Sequence, residues 1–245
     1  MISLYNFIKI YKGAKMFSKE FLSALKSASA FSDKAVLKYP ITTINSDAND
    51  VVINIDASNL GCSEFDDTGV YELTKFLNMF SIFGEAEVKR EDNLLKIQST
   101  TENATFTLCD LNLLEAHNLD AKIIGSLTAF PSISEFNMNS IDLQTIKKAS
   151  SILNELNAFK IEGIGNNTTI SLDFHNRFNS SQNSYKKDYL GTSTQDFTLM
   201  LGIDNIQKLP NADYKVSVKY NSDKSAYRVL FEAENYTVLI SKLAD

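Results

Sequence analysis

Apolar positions recur at helical spacing in four places along the chain and alternate in several others. Phe21, Leu25 and Ala28 fall at i, i+4 and i+7 with Leu22 beside them, behind Ser18, a residue suited to capping a first turn. That spacing predicts a helix from Ser18 to about Phe31. A second stripe, Leu73, Phe76, Leu77 and Phe80, predicts a helix over Glu72–Phe83, and a third, Leu143, Ile146, Ser150 and Leu153, one over Ser140–Asn154. The run GIDNIQKL predicts a fourth, shorter helix. Strand-like runs lie between them: KAVLKYPITTI, DVVINIDAS, AFKIEGI, TTISLDFH and DFTLML. In DVVINIDAS, Val51, Ile53 and Ile55 alternate with Val52, Asn54 and Asp56, the period of a half-buried strand. Gly165-Asn166-Asn167 supplies turn chemistry between two of these runs, and NSSQNSYKK reads as an exposed polar loop.

The pattern is written twice. ENATFTL, Glu102 to Leu108, returns as ENYTVLI, Glu234 to Ile240. Each copy follows an alternating strand and a polar turn, AEVKREDNLLKIQ in one half and YKVSVKYNSDKSAYRVLFE in the other. Each half orders its parts as helix, strands, short helix, hairpin. Self-similarity at half the chain length predicts a tandem duplication of an α+β domain. The two copies are expected at residues 16–110 and 136–245, with 111–135 as connector. The connector has weak periodicity and contains Pro131, although IIGSL within it has strand character.

Composition narrows the function classes. Hydrophobic residues make up 44% and charged residues 22% of 245, the profile of a globular protein. The net charge of −6 excludes a surface that is basic all over but leaves room for a local basic patch. Cys62 and Cys109 lack metal-site spacing and are expected to be reduced. The opening MISLYNFIKIYKGAK is interrupted by Lys9 and reads as neither signal peptide nor membrane span. Catalytic signatures are missing: His117 and His175 fall in different halves with no ligand-spaced neighbours. The Gly163–Gly165 GIG sits between strands rather than before a helix, and no nucleophile motif occurs. Asp66-Asp67 is expected to complement the dipole of the second helix.

Charge on the helices is more informative. Acids stand at the helix starts (Glu20, Glu72, Asp142, Asp204), while Lys19, Lys26, Lys75, Lys147, Lys148 and Lys208 lie later or on polar faces. Dipole complementarity explains each helix alone. Lysine on all four, in an acidic chain, points to one shared basic surface. Only three arginines are present, Arg90, Arg177 and Arg228. Lysine ammonium groups suit loose contact with phosphates, whereas base reading favours bidentate arginine. Such a surface would hold duplex DNA without reading it.

GVYELTKFLNMFSIFGEAEVKREDNLLKI, NMNSIDLQTIKKASSILN, and the final run from DFTLMLGIDNIQKLPNADYKVSVKY through ENYTVLISKL together resemble the bacteriophage sliding clamps, DNA polymerase processivity factors. The resemblance spans Met16 to the C-terminus and rests on diffuse hydrophobic patterns. It implies two clamp domains per chain, sheets outside and two helices each on the inner face, with three chains closing a ring through edge strands. It further implies no enzymatic activity, no cofactor, and residence in the cytoplasm of an infected host cell. The implied partners are double-stranded DNA, an ATP-driven clamp loader and the C-terminal peptide of a viral DNA polymerase. DNA-facing candidates carried over are Lys19, Lys26, Lys75, Lys147, Lys148 and Lys208. The partner pocket is carried over to Ile44, Ile53, Ile124 and Leu239, each of which also reads as ordinary core. Residues 1–15 depart from the family, which begins near Met16. They read as an upstream in-frame start, a disordered tail or an addition specific to this chain, with Lys9, Lys12 and Lys15 able to add charge near DNA. The rival class is a structural or adhesive viral protein with two β-rich domains, for which lysine on every helix would have no use.

Overall fold

The computed structural model describes residues 16–83, 86–117, 125, 128–153, 157–164, 169–175, 185–223 and 225–243. The extension 1–15, the Gly165–Asn167 turn, and residues 118–124, 126 and 127 of the connector, which take in IIGSL apart from Gly125, lie outside the described residues.

The first helix, α1 (Lys19–Ala28), starts where the sequence predicts: the Ser18 hydroxyl accepts the Phe21 N–H at 3.0 Å. It ends three residues earlier than expected, because the Phe31 N–H turns back to the Ala28 carbonyl and carries the Phe31 ring into the core. The expected run KAVLKYPITTI is two strands, β1 (Ala35–Leu37) and β2 (Ile41–Asn45), separated by a cis Tyr39–Pro40 bond. β3 (Val51–Asp56) buries Val51, Ile53 and Ile55. β4 (Thr68–Val70) follows, then α2 (Leu73–Ile82) and the meander β5 (Glu87–Glu91), β6 (Leu94–Gln98) and β7 (Asn103–Thr107). A 3₁₀ segment, Leu111–His117, opens the connector.

The second half begins with β8 (Ser132–Met138), whose first four residues fall in the stretch expected as connector, and continues into α3 (Ser140–Ile152). β9 (Ala158–Gly163), β10 (Thr169–His175), β11 (Tyr185–Ser193) and β12 (Phe197–Gly202) come next. Tyr185, Lys186 and Lys187, expected in a loop, therefore belong to a strand. α4 (Ile203–Lys208), β13 (Tyr214–Asn221), β14 (Ala226–Glu232) and β15 (Tyr236–Ser241) complete it. Helix, four strands, helix, three strands: the order α1, β1–β4, α2, β5–β7 recurs as α3, β9–β12, α4, β13–β15. ENATFTL and ENYTVLI are β7 and β15, the last strands of the two copies.

One sheet of twelve strands runs through both halves in the order β12-β9-β10-β11-β8-β13-β14-β15-β3-β2-β1-β4, and β5-β6-β7 forms a second. The halves join where β15 pairs antiparallel with β3, from Tyr236↔Ile55 to Ile240↔Val51. Beyond β7, Cys109 meets β4 through a bridge with Gly69. A Cβ at Gly69 would lie 2.5 Å from the Cys109 carbonyl oxygen, so a glycine is needed for that approach. α1 packs on α2 and α3 on α4. Beneath the first pair lies an aromatic cluster, with Phe76 4.9 Å from Phe80 and 5.3 Å from Phe106 between ring centroids. Under the second pair the core contains Phe159, Ile161, Leu199, Leu201, Val216 and Phe231.

Candidate nucleic-acid interface

Each helix buries its apolar stripe, and the opposite side of each carries the lysines. On α1, Phe21, Ala24, Leu25 and Ala28 face inward, leaving Lys19 and Lys26 exposed. Both lysines line a groove of about 350 Å³ between α1 and α2, with Ser23, Thr74, Asn78 and Ser81. Lys19 also borders a second groove, shared with Asn235 and Tyr236 at the β14–β15 turn. Lys75 on α2 is exposed and reaches back to Glu72 at 3.1 Å, a solvent-screened pair that leaves its charge available. On α3, Lys148 is exposed beside Thr145 and flanked by the exposed Ile141 and Ile152; Lys208 is exposed on the last turn of α4. Together the four helices hold six lysines against three acids (Glu20, Asp142, Asp204), in a chain whose net charge is −6.

Lys147 stands apart from its neighbour. Its ammonium donates to the Leu209 carbonyl at the C-terminal end of α4, and its partial burial pulls its pKa below the ordinary lysine value. It ties α3 to α4, and the helix-end carbonyl welcomes its charge. Asp142 is likewise engaged, by Lys187 of β11.

The apolar candidates do not converge on one pocket. Ile44 and Ile53 are cross-strand partners, fully buried on the face that α1 covers. Leu239 pairs with Val52 and Leu230, so it lies on the opposite face of the same sheet. Ile124 lies outside the described residues. The alternation of β3 could have separated these faces, had partner register been known; pairing between halves is not written in either strand alone. The face that holds Leu239 does have a cleft, of about 360 Å³, between Thr128 of the connector and β3, β14 and β15. Ile41, Leu230, Ala233 and Tyr236 give it an apolar lining, and Asp56, Glu232 and Glu234 its acids.

Other sequence candidates are accounted for structurally. Asp67 is separated from α2 by β4, and instead of serving the helix dipole it pairs with Lys38 at 3.8 Å while its carbonyl accepts from Arg90. His117 is buried against the end of β2, its Nδ1 3.4 Å from the Asn45 carbonyl oxygen and its Nε2 3.8 Å from Asp47. The side chain of His175 is not described. Cys62 and Cys109 are free thiols. Among the described residues, no group of three or more His, Cys, Asp or Glu side chains is placed to hold a metal, and no helix is long and apolar enough to cross a membrane.

Two repeats of helix-pair and sheet, joined edge to edge with the helices together on one side, define the sliding-clamp fold. Among solved structures, the chain superposes on the proliferating cellular nuclear antigen of Entamoeba histolytica with a TM-score of 0.65 at 13% identity, covering 92% of this chain and 95% of that one. The Sulfolobus tokodaii PCNA2–PCNA3 complex gives 0.64 at 11% identity, with 94% and 98% covered. The Helicobacter pylori beta clamp bound to a DNA ligase peptide gives 0.59 at 14% identity; there the match covers 94% of this chain but 66% of the longer one. No protein-family model and no curated protein sequence matches the chain.

Proposed function

We propose that this chain is a non-enzymatic sliding clamp, which closes with further copies into a ring around duplex DNA and tethers a polymerase for processive synthesis. The observation that carries the reading is charge placed against the trend: a chain of net charge −6 collects twice as many lysines as acids on the four helices of one side. The contacts would be made by Lys19, Lys26, Lys75, Lys148 and Lys208, with Lys147 bracing α3 behind them. Each is a single ammonium on a flexible stem, so retention would come from topology rather than affinity.

Ring closure has its own support in the internal repeat. β15 of the second copy pairs with β3 of the first. By repeat position, β7 corresponds to β15 and β11 to β3. Among the described residues β7 pairs with β6 alone, and β11 pairs with β8 only from Gly191 to Ser193, leaving one edge of Tyr185–Leu190 open. These two edges would pair between chains and repeat the β15–β3 contact, with the exposed Leu190 at the seam. Closure would also remove edges that otherwise invite aggregation. In this reading the domains are 16–110 and 136–245, the ring is a homotrimer, and an ATP-driven loader opens it. Peptide tails, including that of a viral polymerase, would take the sheet face away from the helices; the Helicobacter pylori beta clamp, similar in fold, is bound to a DNA ligase peptide.

The test combines mass and topology. Light scattering across a wide concentration range should show a species of about 82 kDa, three times 27.4 kDa. Loaded protein should stay on circular duplex and run off linear duplex. Equal loss from both templates would sink the encircling mechanism, and a chain that stays monomeric with and without a loader would return the reading to a structural protein.

A further inference from the structure

The cleft behind β3 and β15 has a chemistry that is the reverse of the helix side. Asp56, Glu232 and Glu234 surround it, and no lysine or arginine among the described residues lines it. Leu230 and Ile41 give it an apolar part, and Ile41 is 44% exposed. Asp56 is held below the usual carboxylate range by hydrogen bonds from Ser58 and Asn59, so it stays charged. Glu234 is exposed, and Glu232 lies opposite Lys215, whose ammonium is taken by Glu135 at 3.1 Å. An occupant that suits this cleft is cationic and apolar together.

The chain contains such a segment outside the described residues. Residues 1–15, MISLYNFIKIYKGAK, hold Lys9, Lys12 and Lys15, no acid, and a run of apolar and aromatic residues. They join the fold at Met16, and the entry point is tied to the cleft's rim. The Ser18 amide donates to the Cys62 sulfur at 3.5 Å, and the Cys62 amide to the Ala57 carbonyl at 3.0 Å, next to Asp56. Lys19 and Glu20 border a groove with Asn235 and Tyr236, and those two residues also line the acidic cleft. Fifteen residues reach up to roughly 50 Å when extended, ample for a rim this near.

We propose that residues 1–15 dock in the acidic cleft of their own chain, the lysines against Asp56, Glu232 and Glu234 and the apolar side chains on Leu230 and Ile41. The docked segment covers the sheet face away from the helices, and therefore competes there with any basic, apolar peptide from another protein. This does not depend on DNA binding or on ring closure.

Zero-length carbodiimide coupling of the full chain tests it, since it joins only an amine and a carboxylate already in contact. Equal parts of isotopically heavy and light protein separate links within a chain from links between chains. Links from Lys9, Lys12 or Lys15 to Asp56, Glu232 or Glu234, within one chain, are expected; the Lys215–Glu135 pair is the internal standard. The standard link without the others overturns the proposal, and so do links found only between chains, which would make the occupant a second copy. A variant outside the described fold gives the second readout. Lys9→Glu/Lys12→Glu/Lys15→Glu should speed chymotryptic cleavage at Phe7 and Tyr11 by about tenfold, as the released segment becomes accessible. An unchanged rate would show that the lysines hold nothing.

Discussion

At the residue scale, two adjacent lysines stand in separate settings, Lys147 tied to α4 and Lys148 exposed. Lys147 and Lys148 look alike in the sequence, because helical periodicity places both off the apolar stripe. What separates them is the Leu209 carbonyl, some 60 residues away, which no local pattern reveals. Replacing Lys147 with methionine keeps the stem and removes the charged hydrogen bond. It should lower stability by about 1–2 kcal/mol, a fall in Tm of about 2–4 °C. Lys148→Glu should leave Tm unchanged while weakening retention on DNA, and each lost phosphate contact should flatten the salt dependence by about 0.9 in log–log slope. Calorimetry and salt titration would show the division; equal effects on both measurements for both residues would refute it. Glu135 offers a pH test. Lys215 beside it holds its carboxyl below the usual range, first by hydrogen bonding and then by charge. A carboxylate with a lowered folded pKa adds stability above its unfolded pKa and loses it as pH falls through the folded value. Glu135→Gln should thus be less stable than the parent near neutrality and converge with it in acid, below pH of about 4.

At the element scale, helix ends show how loops set the helix side. α2 has no cap of its own, since Glu72 makes no side-chain cap bond. Asp33, in the loop after α1, does the work from a distance: its carboxylate accepts the Thr74 N–H at 2.6 Å and its carbonyl the Leu73 N–H at 2.7 Å. Asp213 serves α3 in the same way, accepting from Ser140 N–H at 2.7 Å. Asp33→Ala should cost about 1 kcal/mol and speed hydrogen exchange at Thr74 more than elsewhere. The four helices were legible because each has a continuous apolar stripe. β3 was legible through strict alternation, and β7 and β15 through their repeated wording. β4, β8 and β11 were not, for physical reasons. β4 is three residues long around Gly69, too short to show a period. β8 buries both Ile133 and Ser134, which breaks the alternation. β11 presents Lys186 and Asp188 outward near an open edge, where charge is a common defence and resembles a loop.

At the scale of the whole molecule, the repeat was readable but its seam was not. Nothing in ENYTVLI announces that β15 pairs with β3, and that register is what sends Leu239 to the face opposite Ile44 and Ile53. The same seam directs attention to β7 and β11. Leu190 is 84% exposed there, and Leu190→Asp should shift the assembly towards monomer by about tenfold to hundredfold in Kd, in line with roughly 1.5–3 kcal/mol for one buried leucine. Sedimentation would detect it, and an unchanged mass would place the contact elsewhere. The β15–β3 ladder has one more consequence. It is a joint made by backbone hydrogen bonds between two like-built pieces, and the connector merely spares them the entropy of finding each other. A nick in that connector should therefore leave the pieces together, and two genes encoding half-length chains could assemble the same object that one gene encodes now.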